Sequence, residues 1–271
     1  MVRISIAAED MGFCGVWLGE HIISPVVMRS AYPYADSTQD SPAFHAHLPF
    51  YDPYAALSFI AAKTERIRLG LSLSIVPLHD PYHLAKSVAT IDQFSEGRFL
   101  FGIGAGWLKD EFEILDQPWD HRGARMEEAL ELMIRLWNDA EPRFNGKFYT
   151  LPPSGMEPKP LTRPHPPFYF GGTTPIALRR AAQLGDGWIG VGLKVDEART
   201  AVDSLTKLRE RFGREDQPLD IVLIVSEEPG PTEIAAFEEA GVHELVVRPW
   251  VKGRDALENL TAFAQKIGLS Q

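Results

Sequence analysis

Short apolar runs alternate with longer helical patterns along the whole chain of 271 residues. This alternation limits the fold more than any other sequence feature, because repeated strand–helix units build parallel sheets rather than sandwiches. Several runs are almost continuously apolar, as expected for parallel strands that are buried on both faces. The predicted strands are residues 14–19, 67–76, 98–104, 167–171, 187–191, 219–226 and 243–248. The sequence therefore predicts an α/β fold with parallel strands.

Helical patterns separate these strands. The segment 122–137 is the clearest, since Met126, Leu130, Met133 and Trp137 recur at three- and four-residue spacing and form one apolar stripe. The other predicted helices are residues 2–11, 53–64, 81–94, 175–184, 195–212, 232–240 and 255–267. No internal repeat, low-complexity segment or linker divides the chain. One domain over residues 1–271 is the organisation that we predict.

The strand count is seven, one short of a TIM-type (β/α)8 barrel, whose usual length of about 250 residues fits this chain. Residues 2–11 are predicted to be a helix because Ile4, Ala7, Ala8 and Met11 share one face. In the competing interpretation, residues 2–6 alternate as a strand. We predict a barrel that lacks its first strand, with a gap beside strand 14–19 or with residues 2–6 in its place.

Two segments are too long to be simple turns. Residues 22–52 follow the first strand and are rich in aromatic side chains, whereas residues 141–166 are rich in proline and contain a possible hairpin near 144–149. Both adjoin strand ends, so we predict insertions at the C-terminal rim of the barrel, where they would form walls of an active site. The aromatic segment is equally suited to a dimer contact, and a homodimer is expected.

Composition excludes several classes of protein. The chain has 27 Lys and Arg residues against 37 Asp and Glu residues, a net charge of −10, which repels nucleic acid and anionic membranes. The first 13 residues contain two acids and no long apolar run, so neither a signal peptide nor a membrane span is predicted. The single cysteine, Cys14, suits a reducing compartment and is predicted to be a small core residue. We expect a cytoplasmic protein that acts on a small molecule.

One candidate anion site lies at Gly171-Gly172-Thr173-Thr174-Pro175. A strand ends there, and Thr174 and Pro175 are typical of the first turn of a helix. Amide N–H groups and the positive end of the helix dipole would converge on an anion, most naturally a phosphate. The simpler alternative is that the glycines only terminate the strand.

The spacing of Gly102, Gly104 and Gly106 differs from a dinucleotide fingerprint, because the third glycine comes one residue early. These glycines would allow a flat ring or a backbone to approach closely. Tight packing at a strand end is the alternative explanation.

Glu20 and His21 follow the first strand at the rim where parallel barrels carry their active sites. A neutral imidazole there could bind a cofactor ring or move a proton, although a rim histidine bonded to the backbone is the plainer interpretation. His45 and His47 have no third ligand at useful spacing, so no metal site is predicted. Motifs of common serine hydrolases, zinc proteases and P-loop NTPases are missing from the sequence.

Three segments together resemble one family. The run AAEDMGFCGVWLGEH is similar to the opening of the luciferase-like monooxygenase superfamily. The block RIRLGLSLSIVPLHDPYHLAKSVATIDQFSEGRFLFGIGAGWLKDEF is similar to its most diagnostic region, and PPFYFGGTTPIALRRAAQLGDGWIGVG resembles its later phosphate-binding strand. The Glu-His pair at 20–21 and the Tyr-Pro-Tyr at 32–34 look most like the branch that uses the deazaflavin coenzyme F420.

This resemblance implies a barrel that binds reduced flavin or F420 at its C-terminal rim. It implies that His21 lies beside the cofactor ring and takes part in proton transfer, with Glu20 next to it in place of the usual aspartate. It also implies a non-prolyl cis peptide at Ser72-Leu73. Cofactor-lining positions are implied for Ala105 and Gly106, with weaker matches at Trp107 and Glu111; phosphate contacts are implied for Gly171, Gly172 and Thr173. Arg179 and Arg180 follow one turn later and could meet an anionic tail, although solvent exposure is the expectation for both.

The function that the resemblance implies is hydride transfer between F420 and a small organic substrate, with His21 managing the proton. An FMN-dependent monooxygenase that uses reduced flavin and O₂ is the main alternative. A cofactor-binding barrel without turnover is the third hypothesis. The sequence does not identify the substrate.

Overall fold

The computed structural model describes residues 1–33 and 46–269. Within those ranges the chain forms ten strands and nine α-helices. The strands are β1 Gly15–Leu18, β2 Arg68–Leu71, β3 Ser74–Ile75, β4 Phe99–Gly104, β5 Phe144–Asn145, β6 Thr150–Leu151, β7 Phe168–Gly171, β8 Gly187–Val191, β9 Asp220–Ile224 and β10 Glu244–Val246. The helices are α1 Val2–Asp10, α2 Pro53–Ala61, α3 Pro81–Phe94, α4 Lys109–Ile114, α5 Arg122–Asn138, α6 Pro175–Leu184, α7 Val195–Arg211, α8 Pro231–Glu239 and α9 Ala256–Lys266.

The main sheet is parallel and runs in the order β1-β2-β4-β7-β8-β9-β10, with β3 paired to β4 beside it. Helices connect successive parallel strands, which is the TIM-type arrangement predicted from the sequence. The seven predicted strands are confirmed. Among the described residues, β1 and β10 form the two ends of the sheet and share no backbone pairing, so the predicted gap beside β1 is also confirmed.

The N-terminal segment is helix α1, so the competing prediction of a strand over residues 2–6 is wrong. Helix α1 packs against α9, and the ring centroids of Phe13 and Phe263 lie 6.4 Å apart. These contacts bring the two ends of the described chain together on the outside of the gap.

Side chains bridge the gap inside the barrel, near the starts of the strands. The Trp17 indole N–H donates to Glu244 Oε1 at 2.6 Å, and the guanidinium of Arg68 donates to the other oxygen of the same carboxylate. Tyr169 donates its hydroxyl hydrogen to Asp220 Oδ2 at 2.5 Å, and Arg68 lies 3.8 Å from that oxygen. We call these five residues the closing cluster. They connect β10 to β1 and β2 where no backbone hydrogen bonds do.

The core between sheet and helices follows the predicted pattern. Met126, Leu130, Met133 and Trp137 are all buried, which confirms the apolar stripe of α5. The Trp137 indole N–H donates to the carbonyl of Ala85 on α3 at 3.0 Å, so its polar atom is satisfied inside the core.

Some predicted details differ from the structure. The strand predicted over 67–76 is broken, because β2 ends at Leu71 and β3 starts only at Ser74. The Leu71 carbonyl oxygen occupies the space beside Gly102, 1.7 Å from where a Cβ would lie, so the backbone turns inward there. Cys14 is exposed rather than buried, since it precedes β1 at the open end of the sheet. Helix α4 was not predicted, because six residues are too few to show a helical period.

The two predicted insertions differ in how much of them the structure covers. Residues 34–45 of the segment 22–52 lie outside the described residues, and Tyr34, Phe44 and His45 are among them. The segment 141–166 contains the predicted hairpin, formed by the antiparallel pair β5 and β6. As for membranes, none of the described helices combines the length and the apolar character that a membrane span requires.

Candidate functional site

The predicted site residues follow four neighbouring strands, β1, β2, β4 and β7, at their carboxyl ends. Leu73 connects these strands. Its side chain occupies the space next to Gly104 and Gly171, where added Cβ atoms would lie 3.0 and 2.1 Å from it. On the other side, the Ser72 carbonyl oxygen would lie 3.5 Å from a Cβ at Gly19, at the end of β1. The structure therefore brings the β1, β2, β4 and β7 positions together around one mouth.

The Ser72–Leu73 peptide bond is cis, as the family resemblance implies. Both residues are half-buried, as are Ala105, Gly106, Gly171, Gly172 and Thr173, whereas β4 just below them is fully buried. The glycines owe their positions to close packing: Leu71 fills the space beside Gly102, and Phe112 and Ile75 approach a Cβ at Gly106 to 2.7 and 2.8 Å. At Gly102 the Leu71 backbone approaches closely, as predicted, whereas at Gly106 side chains pack tightly, as in the alternative. The approach of a flat ring stays a prediction.

His21 lies at the mouth and is paired with a carboxylate from a distant part of the chain. Its Nδ1 is 2.8 Å from Glu111 Oε2, and the histidine and glutamate side chains are 12% and 2% exposed. The other carboxylate oxygen of Glu111 accepts hydrogen bonds from the backbone N–H groups of Ile22 at 2.7 Å and Ile23 at 3.2 Å. Three donors therefore surround one buried carboxylate, and one of them is a titratable imidazole. The plainer interpretation, a histidine bonded to the backbone, does not describe this contact.

Aromatic rings surround the imidazole of His21. Phe50 and Trp107 present their rings at 83° to it, with centroids 5.3 and 5.9 Å away, and Tyr32 packs edge-on against Trp107 at 5.1 Å. An apolar enclosure of this kind limits water beside the imidazole and favours a ligand with flat apolar surface.

The Glu20 side chain is buried and points toward β3 and His79. Its Oε2 accepts hydrogen bonds from the backbone N–H of Ile75 at 2.7 Å and from His79 Nε2 at 3.0 Å. Burial alone would lower the pKa of His79, but the hydrogen bond and charge of Glu20, with smaller effects of Asp52 and Glu111, raise it overall. The carboxylate therefore connects the end of β1 to β3. A direct contact between Glu20 and a cofactor remains a prediction.

Helix α4 holds the loop that follows β1 through a second acid, Asp110. This buried carboxylate accepts hydrogen bonds from the backbone and hydroxyl of Ser30 and from the backbone and guanidinium of Arg29. The hydroxyl of Ser30 contributes most to a pKa of Asp110 that lies far below its ordinary value; burial opposes this shift, and the Arg29 guanidinium adds to it. Adjacent residues of α4 thus hold His21 and the loop next to it.

The predicted anion site has the expected local structure. Gly172 has a positive φ of 108°, Thr174 caps helix α6 by accepting from the Ala177 N–H at 3.3 Å, and Pro175 begins the helix. The expectation of an exposed Arg180 is wrong: its side chain is only 14% exposed, because Glu127 binds it at 2.6 Å and it packs over Gly123. Arg179 is exposed, as expected.

A second arginine lies close to Arg180. The guanidinium of Arg122 lies 3.6 Å from the centre of the Trp119 ring, and its Nε donates to the carbonyl of Gly106 at 3.2 Å. Burial and the nearby charge of Arg180 lower the pKa of Arg122. Arg122 therefore carries positive charge beside the end of β4, and Arg180 of α6 lies near it while paired with Glu127, a pattern that suits an anion.

These residues fit a flat heterocycle with an anionic tail. Small half-buried residues and Leu73 form a shallow floor, and the start of α6 with two arginines lies at one side. The described residues offer no metal site, because within residues 1–33 and 46–269 no group of three or more His, Cys, Asp or Glu side chains could hold an ion. The prediction about His45 and His47 includes a residue outside those ranges.

Sequence reasoning did not find all of this site. His79 and Asp110 lie in the quoted diagnostic block but were given no role, Arg122 lies outside it, and Glu111 was only a weak match. The signal for Glu111 was present in the Asp-Glu-Phe at 110–112, but its partner lies 90 residues away in the sequence. Only the fold could show that a short helix after β4 reaches the end of β1.

Comparison with known proteins identifies relatives over most of the chain. A family model described as luciferase-like monooxygenase matches residues 1–267. An uncharacterized protein of Mycobacterium tuberculosis is 34% identical over 244 residues, which cover 88% of this chain and 83% of that protein. An F420-dependent glucose-6-phosphate dehydrogenase of Intrasporangium calvum is 28% identical over an alignment that covers 91% of this chain and 74% of that protein. An FMNH(2)-dependent dimethylsulfone monooxygenase of Pseudomonas putida is 30% identical over 68% of this chain and 51% of its own length.

Solved structures show the same fold. An F420-dependent secondary alcohol dehydrogenase, in complex with an F420-acetone adduct, superposes with a TM-score of 0.77. The match covers 100% of this chain and 94% of the other, at 17% sequence identity. At that identity the likeness concerns the fold alone.

Proposed function

The chain belongs to the luciferase-like monooxygenase family of flavin- or F420-dependent enzymes, and on that basis we propose that it is an F420-dependent oxidoreductase. Its reaction is hydride transfer to or from a small organic substrate, with His21 as the residue that moves the proton. The observation that carries this proposal is the pair of His21 and Glu111, with 2.8 Å between Nδ1 and Oε2, at the mouth of the barrel.

His21 acts at its other ring nitrogen. Because Nδ1 faces the buried Glu111 carboxylate, Nδ1 carries a hydrogen and Nε2 is the atom that gains or loses a proton during the reaction. Glu111 fixes the orientation of the ring by accepting the Nδ1 hydrogen. The backbone donors of Ile22 and Ile23 hold Glu111 in turn, so the imidazole has little freedom to rotate.

The remaining predicted residues would hold the cofactor. Leu73, Ala105 and Gly106 would lie under the ring, while Gly172 and Thr173 at the start of α6 would bind a phosphate. Arg122 and Arg180 would add positive charge on the same side. F420, when bound, supplies or accepts a hydride at carbon 5 of its deazaflavin ring. The protein contributes orientation, exclusion of water by Phe50 and Trp107, and the proton at Nε2.

Two observations favour F420 over FMN. The Glu20-His21 and Tyr32-Pro33-Tyr34 sequences look most like the F420 branch, and a relative covering 91% of this chain is named as an F420-dependent dehydrogenase. An FMN-dependent monooxygenase is the second candidate, and the dimethylsulfone monooxygenase relative supports it.

Titration with each cofactor separates the two candidates. The purified protein is mixed with F420 or with FMN, oxidised and reduced, and binding is followed by fluorescence. We expect micromolar or tighter binding of F420 and at least tenfold weaker binding of FMN. The opposite order, together with O₂ consumption in the presence of reduced FMN, would replace the proposal with the monooxygenase.

Replacement of His21 tests turnover itself. In His21→Ala we expect F420 binding within about threefold of the wild type and a rate lower by about 10²- to 10⁴-fold, the usual contribution of general acid–base catalysis. Lys266→Ala, far from the mouth in the surface pair with Glu228, is the matched control and should leave the rate unchanged. A protein that binds F420 but oxidises or reduces no alcohol or carbonyl compound would instead support the hypothesis of a barrel without turnover.

A further inference from the structure

The loop after β1 exposes a row of large apolar side chains next to His21. Ile22, Ile23, Val26 and Val27 are 46%, 43%, 83% and 76% exposed. We call residues 22–28 the apolar arch. Isolated exposed hydrophobic residues are ordinary on protein surfaces, but several in one short segment at the mouth of a site indicate contact with an apolar partner or ligand.

The arch is anchored at both ends, so its exposed side chains have a defined place. At its start, Glu111 binds the backbone N–H groups of Ile22 and Ile23. Just beyond its other end, Asp110 binds the backbone N–H groups of Arg29 and Ser30, the latter at 2.9 Å. Two neighbouring buried acids of α4 therefore hold the arch over the same strand end that carries His21.

The segment 22–52 offers an anionic substrate little positive charge. It contains one Lys or Arg residue, Arg29. Asp110 and Glu113 already bind the guanidinium of Arg29. The guanidinium of Arg122 covers the Trp119 ring while its Nε donates to the carbonyl of Gly106, and Arg180 is paired with Glu127. A phosphate or carboxylate beside His21 would thus face the Glu111 carboxylate and no unpaired Lys or Arg side chain from this segment.

From these observations we infer that the substrate is a neutral, predominantly apolar carbonyl compound or the corresponding alcohol, held between the apolar arch and the aromatic rings around His21. This inference rests on the proposed function and names the substrate class of that site. The relative named as a glucose-6-phosphate dehydrogenase acts on an anionic sugar, so this chain would differ from it in the charge of its substrate.

The reaction balances with the cofactor already proposed. In the reducing direction a C–H bond forms at the carbonyl carbon with a hydride from reduced F420, the π electrons move to oxygen, and the proton from His21 Nε2 completes the hydroxyl group. The substrate gains two electrons and the cofactor loses two. Anionic groups are not needed at any point in this exchange.

Binding of matched ligands tests the inference without relying on activity. Cyclohexanone, cyclohexanol and the anion 4-oxocyclohexanecarboxylate are titrated into the protein, with and without F420, and followed by calorimetry and by tryptophan fluorescence. We expect the neutral ligands to bind at least tenfold more tightly than the anion. Equal or tighter binding of the anion would overturn the inference.

A double variant tests the role of the arch. Val26→Ser with Val27→Ser should raise the dissociation constant and KM for cyclohexanone about tenfold, the loss expected when the ligand no longer covers two exposed valine side chains, while kcat stays the same. Leu184→Ser, at the far end of α6 and 40% exposed, is the matched control and should change neither constant. If the double variant binds cyclohexanone as the wild type does, the arch is not the substrate contact.

The two proposals fail in different ways. Absence of F420 binding, with the preference for neutral ligands intact, would reject the cofactor and keep the substrate class. Normal F420 binding, with turnover confined to anionic substrates such as glucose 6-phosphate, would reject the substrate class and keep the cofactor.

Discussion

The barrel buries a carboxylate at each end, and the two differ in what they bind. At the base, Glu244 in the closing cluster binds Trp17 and Arg68, which are side chains of neighbouring strands. At the mouth, Glu111 binds His21 and the backbone of a loop. Arginine stays charged at any ordinary pH, so Glu244 holds a permanent cation between neighbouring strands. Glu111 instead holds the residue to which we assign proton transfer.

The largest change in the free energy of unfolding is expected from a substitution of Glu244 at the base of the barrel. Glu244→Ala removes the acceptor of Trp17 and the charge partner of Arg68, and leaves a half-buried cation and an indole N–H behind. We expect a loss of about 2–3 kcal/mol in the free energy of unfolding, less than for a fully buried pair because Arg68 is 36% exposed. Urea denaturation at neutral pH measures it. Cofactor affinity of the folded variant should be unchanged, and a variant as stable as the wild type would show that the cluster does not close the barrel.

The second-largest effect is expected at the mouth, and there it concerns kcat/KM more than the free energy of unfolding. Glu111→Gln keeps the shape of the side chain but removes the carboxylate that accepts the hydrogen of His21 Nδ1 and orients its ring. We expect kcat/KM to fall about 10- to 100-fold, corresponding to about 1.5–3 kcal/mol for a charge-assisted hydrogen bond, with about 1 kcal/mol lost in stability. Steady-state kinetics and urea denaturation on the same sample provide the two values. A variant that loses stability but keeps its kcat/KM would make Glu111 a structural acid like Glu244.

A smaller effect is expected in the dependence of stability on pH. The pKa of folded His79 is raised above the ordinary value of about 6.5, so protonated His79 stabilises the fold. That contribution is fully present below the unfolded pKa and is lost as the pH rises through the folded pKa. His79→Gln should therefore flatten the stability profile above pH 6.5, as measured by thermal unfolding between pH 5 and 9. His83→Gln, at a site where the side chain is 90% exposed, is the control and should keep the wild-type profile.

The smallest effect is expected on the outer surface. Glu228 and Lys266 form an ion pair at 2.8 Å, but both side chains are more than 40% exposed. Glu228→Ala should change the free energy of unfolding by less than about 0.5 kcal/mol, because solvent screens such pairs. A larger loss in the same urea experiment would mean that burial is not what distinguishes Glu244 from surface acids.

Much of the fold could be predicted from local pattern. Apolar runs located the seven strands of the main sheet, and the stripe from Met126 to Trp137 defined α5, because both signals repeat with the period of the element. The break between β2 and β3 could not be seen this way. The run IRLGLSLSIV keeps a strand-like alternation from residue 67 to 76, and only the Leu71 carbonyl next to Gly102 shows where the strand turns.

The candidate site was predictable in position more than in detail. His21 and the start of α6 could be placed at the rim because each follows a strand. The partner of His21 could not, since 90 residues separate it from Glu111. The expectation that Arg180 is exposed was wrong for a similar reason: its partner Glu127 belongs to α5, 53 residues earlier in the chain. Pairings across the fold leave no trace in local periodicity.

The unpaired edges of β1 and β10 have a consequence for hydrogen exchange. Strands β4 and β7 each have neighbours on both sides, so exchange of their amides requires the sheet to come apart. The outward-facing amides of β1 and β10 have no partner strand among the described residues, and the side-chain contacts of Trp17 and Glu244 span the gap instead. Local opening should therefore start along this line, and deuterium should label the two end strands well before the centre of the sheet.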